Sequence, residues 1–170
     1  MSLYKNRYRQ NTLRLSNWDY SSPGYYFVTI CTKDKQCYFG EINISTIKYS
    51  TIGKKPIYLW NQIPQHFSHV ELDKWILMPN HIHGIIILKE RKSIYEDFNK
   101  FSKPISCSLS TVINQFKASV TRWCNQNDFK HFSWQKSFYE HIIRSEASLA
   151  SIREYIANNP IKWELDEYYQ

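Results

Sequence analysis

The chain has 170 residues, with 22 Lys and Arg against 15 Asp and Glu, a formal charge of +7 and a sequence pI near 9.2. That length buries one core without staples, and Cys31, Cys37, Cys107 and Cys124 form no CxxC pair or zinc-ribbon spacing, so neither a disulfide framework nor a structural zinc site is indicated. No apolar run approaches the roughly 20 residues that span a bilayer, and the start "MSLYKNRYRQ" has no apolar leader core, so no membrane partner and a cytoplasmic location are expected. Positive charge combined with 13 Tyr, 9 Phe and 6 Trp suits a nucleic-acid partner, because phosphates attract the charge and unstacked bases the flat rings.

Residues 1–15 carry Lys5, Arg7, Arg9 and Arg14 interleaved with Tyr4 and Tyr8. They read as a basic arm, either solvated or in contact with phosphates, ahead of one domain over 16–170. After the turn signal "SSPG", the aromatic and β-branched "YYFVTICT" predicts a strand. The segment "ISTIKYSTIGKKPIYLWNQIPQHF" predicts a helical stretch interrupted by Gly53, Pro56 and Pro64. "VELDKWILM" and "HIHGIIILK" predict two antiparallel strands joined through Pro79 and Asn80.

A polar loop over 89–104 precedes "SLSTVINQFKASVTRWCNQ", where Val112, Ile113, Phe116, Val120 and Trp123 fall on one helical stripe, with Lys117 near its edge. "FSWQKSFYEHIIR" predicts a strand, and "EASLASIREYIANN" a final helix with the stripe Leu149, Ile152, Ile156, stopped by Pro160. The order strand, helix, two strands, helix, strand, helix is that of a ferredoxin-like α+β domain with one appended helix. The sheet would be antiparallel, with helices on one face and the strand bearing the histidines near its middle.

Chemistry concentrates in "WILMPNHIHGIIIL". Side chains at i and i+2 of a strand share a face, so His81 and His83 stand side by side while Ile82 points away. Such a pair is either half of a metal site or a hydrogen-bonded structural pair. On the final helix Tyr155 and Asn159 lie about 40° apart, flanking the apolar stripe, where they can face the sheet. Tyr139 is a competing nucleophile, and His141 is either a third ligand, a base or a structural histidine. Lys117, Arg122, Arg144 and Arg153 are candidate phosphate contacts with Arg7 and Arg9, against the plain alternative of solvated charges. Glu140, Glu146 and Glu154 form no carboxylate cluster, and four glycines leave no phosphate-cradling loop.

"LRLSNWDYSSPGYYFVTICT", "WILMPNHIHGIIIL", "FKASVTRW" and "FSWQKSFYEHIIRSEASLASIREYIANNPIKW" together resemble the REP-associated tyrosine transposases, relatives of the single-strand insertion-sequence transposases in the HUH nuclease superfamily. The resemblance runs from about Leu13 to Trp163. It implies that His81 and His83 bind a catalytic divalent ion, Mg²⁺ or Mn²⁺, with Asn159 completing the shell. It also implies that Tyr155, in "YIANNP", attacks single-stranded DNA carrying hairpins and leaves a 5′-phosphotyrosine. Both monomeric and homodimeric relatives are implied. Two rivals stand beside it: a domesticated nucleic-acid-binding module without chemistry, and a phosphohydrolase using water in place of the tyrosine.

Overall fold

The computed structural model describes residues 3–4, 7–8, 19–44, 46–90 and 108–169. In chain order the elements are β1 (Leu3–Tyr4), β2 (Arg7–Tyr8), β3 (Gly24–Cys31), β4 (Gly40–Asn43), β5 (Thr46–Tyr49), α1 (Thr51–Asn61) and α2 (Ile63–His66). They continue with β6 (Val70–Leu77), β7 (His81–Leu88), α3 (Leu109–Gln126), β8 (Tyr139–Ile143) and α4 (Glu146–Asn158). The central sheet runs β6-β7-β3-β8 with every neighbour antiparallel. This is the ferredoxin-like α+β order, with the histidine strand β7 in the interior and α4 as the additional C-terminal helix.

The alternation of strand side chains divides the molecule into two unequal layers. Ile82, Ile86 and Leu88 of β7 join Tyr26, Val28 and Ile30 of β3 in a core closed by Ile52 and Trp60 of α1 and by Leu109, Val112, Ile113, Phe116 and Val120 of α3. The opposite face carries Phe27, Ile85 and Ile143, covered by Leu149 and Ile156 of α4. Ser50, Ser108 and Ser145 cap α1, α3 and α4 by accepting the backbone N–H of Gly53, Thr111 and Ser148.

Three expectations need correction. Residues 46–49 are not helical: they form β5, which pairs with β4 and alternates exposed and half-buried side chains around a turn at Ile44, whose φ is 47°. Pro56 does not interrupt α1, and Pro64 stands at the start of α2, where its missing N–H costs nothing. Burial of Ile52, Gly53, Pro56 and Trp60 against the core offsets the roughly 3 kcal/mol cost of an interior proline. The expected strand over 132–144 is paired in the sheet only from Tyr139. Upstream of it Trp134 makes an isolated bridge to Thr32, and the carbonyls of Gln135, Lys136 and Ser137 turn to the Lys117 ammonium instead of a neighbouring strand.

The polar loop over 89–104 lies outside the described residues beyond Glu90, and so does Cys107. No helix among the described residues is long and apolar enough to cross a membrane.

Gly84 follows the histidine pair because a Cβ there would lie 2.7 Å from Trp60 Cζ2 and 3.1 Å from Trp75 Cβ. Gly84→Ala should therefore destabilise the protein by about 1–3 kcal/mol, read from the urea midpoint, through overpacking against a fully buried indole. An unchanged midpoint would show that Trp60 has room to shift.

Candidate metal and tyrosine site

Register builds the site. On the face opposite the large core, β7 presents His81 and His83, paired across the ladder with Cys31 and Thr29 of β3. The two rings are 0% and 1% exposed, with centroids 4.3 Å apart. Each has one nitrogen held by a neighbour, which fixes where the other points.

Asn80 decides the orientation of His81. Its Nδ2 donates to the Lys35 carbonyl at 2.9 Å and to the Tyr168 carbonyl at 2.8 Å, so its Oδ1 is turned to His81 Nδ1 at 2.8 Å. That nitrogen must carry the proton, which leaves Nε2 with a lone pair. His81 Nε2 is buried and has no hydrogen-bond partner. For His83, Nδ1 lies 2.9 Å from Thr29 Oγ1, and Nε2 lies 3.1 Å from the Tyr155 hydroxyl.

Burial keeps both rings neutral. It holds His81 well below the ordinary histidine range, helped by the neighbouring His83 and Lys35 charges, and pushes His83 down to about 3. Neutral imidazoles with free lone pairs are the form that binds a cation.

α4 and the segment after it supply the oxygens. Asn159, at the C-terminal end of α4, is 3% exposed, and its Nδ2 donates to Asp166 Oδ2 at 3.0 Å. Its Oδ1 is buried without a hydrogen-bond partner. Asp166 Oδ1 accepts from the Tyr168 backbone N–H at 2.7 Å. One ligand atom each from His81, His83 and Asp166 lies within 4.8 Å of the others.

Two imidazoles and a carboxylate, with an orphaned nitrogen and an orphaned amide oxygen beside them, fit a divalent first-row ion or Mg²⁺ by donor type. Unpartnered buried polar atoms are costly, and a shared cation is the simplest partner for both.

Tyr155 projects from α4 with its ring 5.2 Å from His83 and 6.1 Å from Phe27. Burial raises its phenol to about 12, with the Asp166 and Glu167 charges adding to the effect and Asn159 opposing it. A cation held by Asp166 would offset one of those charges and so ease ionisation of the phenol. The Tyr168 ring closes the other side, 4.7 Å from His81 and 5.8 Å from His83, beneath the Lys35 ammonium.

Tyr155, His81, His83 and Asn159 thus lie on one side of the sheet, with Tyr155 against His83. Asp166 was not anticipated: it lies beyond the proline stop, in "WELDEYYQ", where no periodicity points it back toward the sheet. Asn80 was read only as a turn residue. Tyr139 and His141 share the sheet face with the histidines but are exposed on β8, away from the cluster.

The candidate phosphate contacts separate. Lys117 is corrected: it is 9% exposed, and its ammonium donates to the Gln135 carbonyl at 2.6 Å, so it holds a loop together and does not offer a charge to solvent. Arg153 is exposed but forms a two-nitrogen pair with Asp73, the closest contact 2.6 Å. Arg122 and Arg144 are exposed; Arg122 lines a groove between α1 and α3. Arg7 lies in β2, and Arg9 is outside the described residues.

Two predictions follow from the held imidazoles. Thr29→Val, which leaves His83 Nδ1 without its partner, should weaken Mn²⁺ binding by roughly ten- to a hundredfold in calorimetric titration; equal affinity would mean that Thr29 does not orient the ring. In metal-free buffer, unfolding lets both imidazoles bind protons that the native state refuses. Stability should therefore be fully present above about pH 6.5 and fall as pH drops toward 3, at up to about 1.4 kcal/mol per pH unit for each ring. Urea titrations across that range, with His83→Gln expected to show the shallower slope, measure it.

No protein-family model matches the chain. An uncharacterized protein of Haemophilus influenzae is 37% identical over 174 residues, covering 95% of this chain and 94% of that protein. A second protein of the same organism, provisionally named a REP-associated tyrosine transposase, is 26% identical over 156 residues, covering 87% of this chain and 77% of its own length. The solved structure of a REP-associated tyrosine transposase bound to a REP hairpin shares the fold, with a TM-score of 0.62 and 20% identity over 91% of this chain and 77% of that one. In sequence and fold the chain is thus REP-associated tyrosine transposase-like.

Proposed function

We propose that the chain is a metal-dependent, single-strand DNA nickase and strand transferase in which Tyr155 forms a 5′-phosphotyrosine bond. The observation that carries this is the Tyr155 hydroxyl 3.1 Å from His83 Nε2, within the cluster that includes His81 and Asp166. A phenol has no structural need of a buried imidazole pair, whereas a nucleophile needs charged or polar groups at the atom it attacks.

His81, His83 and Asp166, with Asn159 Oδ1 beside them, would hold a Mg²⁺ or Mn²⁺ ion that supplies Lewis acidity to the scissile phosphate. His83 Nε2, 3.1 Å from the Tyr155 hydroxyl, can serve the phenol or a cation but not both, so a bound ion would leave the hydroxyl free of that bond. α4 sets the direction of attack by packing Leu149 and Ile156 on Phe27 and Ile85. Phe27 lies edge-on to the Tyr155 ring and limits how far it can swing. The net exchange replaces the phosphate's bond to a 3′ oxygen with one to Tyr155 and leaves a 3′ hydroxyl. Because a phosphodiester is retained, rejoining to another strand requires no nucleotide triphosphate.

Hairpin-bearing DNA is the substrate we favour, by likeness to the hairpin-bound transposase. Residues 16–170 would be the catalytic unit, with 1–15 as an arm on the phosphate backbone. Arg7, Arg9, Arg122 and Arg144 would add backbone contacts.

Covalent trapping tests the reading. Wild type mixed with 3′-labelled, hairpin-flanked single-stranded oligonucleotides and Mn²⁺ should carry label to protein mass on a denaturing gel, and Tyr155→Phe should carry none. Binding without adduct would favour a non-catalytic nucleic-acid module; cleaved product that persists in Tyr155→Phe would favour a hydrolase.

A further inference from the structure

A cavity of about 300 Å³ opens beside Tyr155, walled by Asn159, Asp166, Glu167 and Lys162. Three of these belong to the cluster already described or lie next to it. Lys162 does not, and it is the one cation among the described residues lining the cavity.

The backbone of Lys162 is fixed on both sides. Its N–H donates to the Asn158 and Asn159 carbonyls at 3.2 Å, and its carbonyl accepts from Leu165 N–H at 2.9 Å. The turn that leaves α4 therefore places Lys162 at a set position relative to Tyr155, on the same cavity wall. The side chain is exposed, and no hydrogen bond or ion pair among the described residues engages its ammonium.

The charges make this position telling. A phosphodiester entering the cavity meets the carboxylates of Asp166 and Glu167, which repel it. A cation held by His81, His83 and Asp166 would offset the first of these and leave the second. Attack at phosphorus then draws further negative charge onto the non-bridging oxygens. An exposed ammonium among the cavity's lining residues meets both demands.

We propose that Lys162 binds a non-bridging oxygen of the scissile phosphodiester and stabilises the charge that develops there. The proposal rests on the nickase reading and adds a catalytic residue to it. In the transfer the Tyr155 oxygen gives up its proton and bonds to phosphorus. The bond from phosphorus to the 3′ oxygen breaks, its electron pair stays on that oxygen, and the oxygen takes up one proton. Lys162 keeps its protons throughout and acts by charge alone.

Single-turnover adduct formation at saturating oligonucleotide and Mn²⁺ tests this with wild type, Lys162→Gln and Lys162→Arg. Lys162→Gln should slow the step roughly tenfold, less than the ~10²–10³ lost with a buried oxyanion donor, because Lys162 is exposed. Lys162→Arg should recover most of the rate. Filter binding in the Tyr155→Phe background should show oligonucleotide affinity changed less than about threefold by Lys162→Gln, since one exposed phosphate contact contributes little to the whole.

An unchanged rate, an equal loss in both variants, or a loss confined to affinity would overturn the role of Lys162 while leaving the nickase reading intact. Failure of the wild type to form any adduct would instead remove the nickase reading itself. Thermal melts that match across the three proteins exclude a folding defect.

Discussion

The antiparallel register of β7 on β3 is the constraint on which the site depends. It pairs His83 with Thr29 and His81 with Cys31, and period 2 then sends both imidazoles to one face and Ile82 and Ile86 to the other. A slip of one residue would bury the histidines against Trp60 and Phe116 and set isoleucines beneath Tyr155. The large core enforces the register, because Trp60 occupies the space that only a glycine at position 84 leaves open. Packing on one face thereby fixes the chemistry on the other.

Residues outside the strand complete the arrangement by satisfying polar atoms. Asn80 holds the Lys35 and Tyr168 carbonyls with one end and His81 with the other. One amide thus joins the loop after β3, the β6–β7 turn and the C-terminal segment. Asn159 and Asp166 make a comparable link between the end of α4 and that same segment. The result is a site assembled from five separate parts of the chain, each with its own reason to be there.

What could be read from the sequence follows from which forces are local. His81 and His83 were legible because strand alternation acts between nearest neighbours, and Tyr155 because helical spacing puts it at the margin of a stripe. Family likeness then gave those positions roles that spacing alone left open. Asp166 was not legible, since its place depends on a chain reversal after Pro160 that no repeat encodes. Lys117 misled for a related reason. A lysine at the edge of an apolar stripe usually reaches water, but here three carbonyls of the approach to β8 had no strand to pair with and took its ammonium. The β4–β5 hairpin was hidden because the short alternation of Ile47 and Tyr49 runs directly into the helical stretch that begins at Thr51.

The unequal layers have a dynamic consequence. Among the described residues, twenty-one buried side chains pack in the layer of α1 and α3, whereas five join the sheet to α4, assisted at the surface by the Arg153–Asp73 pair. Opening free energy scales with the apolar surface that must be exposed, so the tyrosine helix belongs to the least protected part of the structure. Its amides should exchange with solvent through partial openings that leave α3 and the inner strands closed. The helix bearing Tyr155 and Asn159 can then separate from the imidazoles as a unit while the sheet that carries His81 and His83 stays folded.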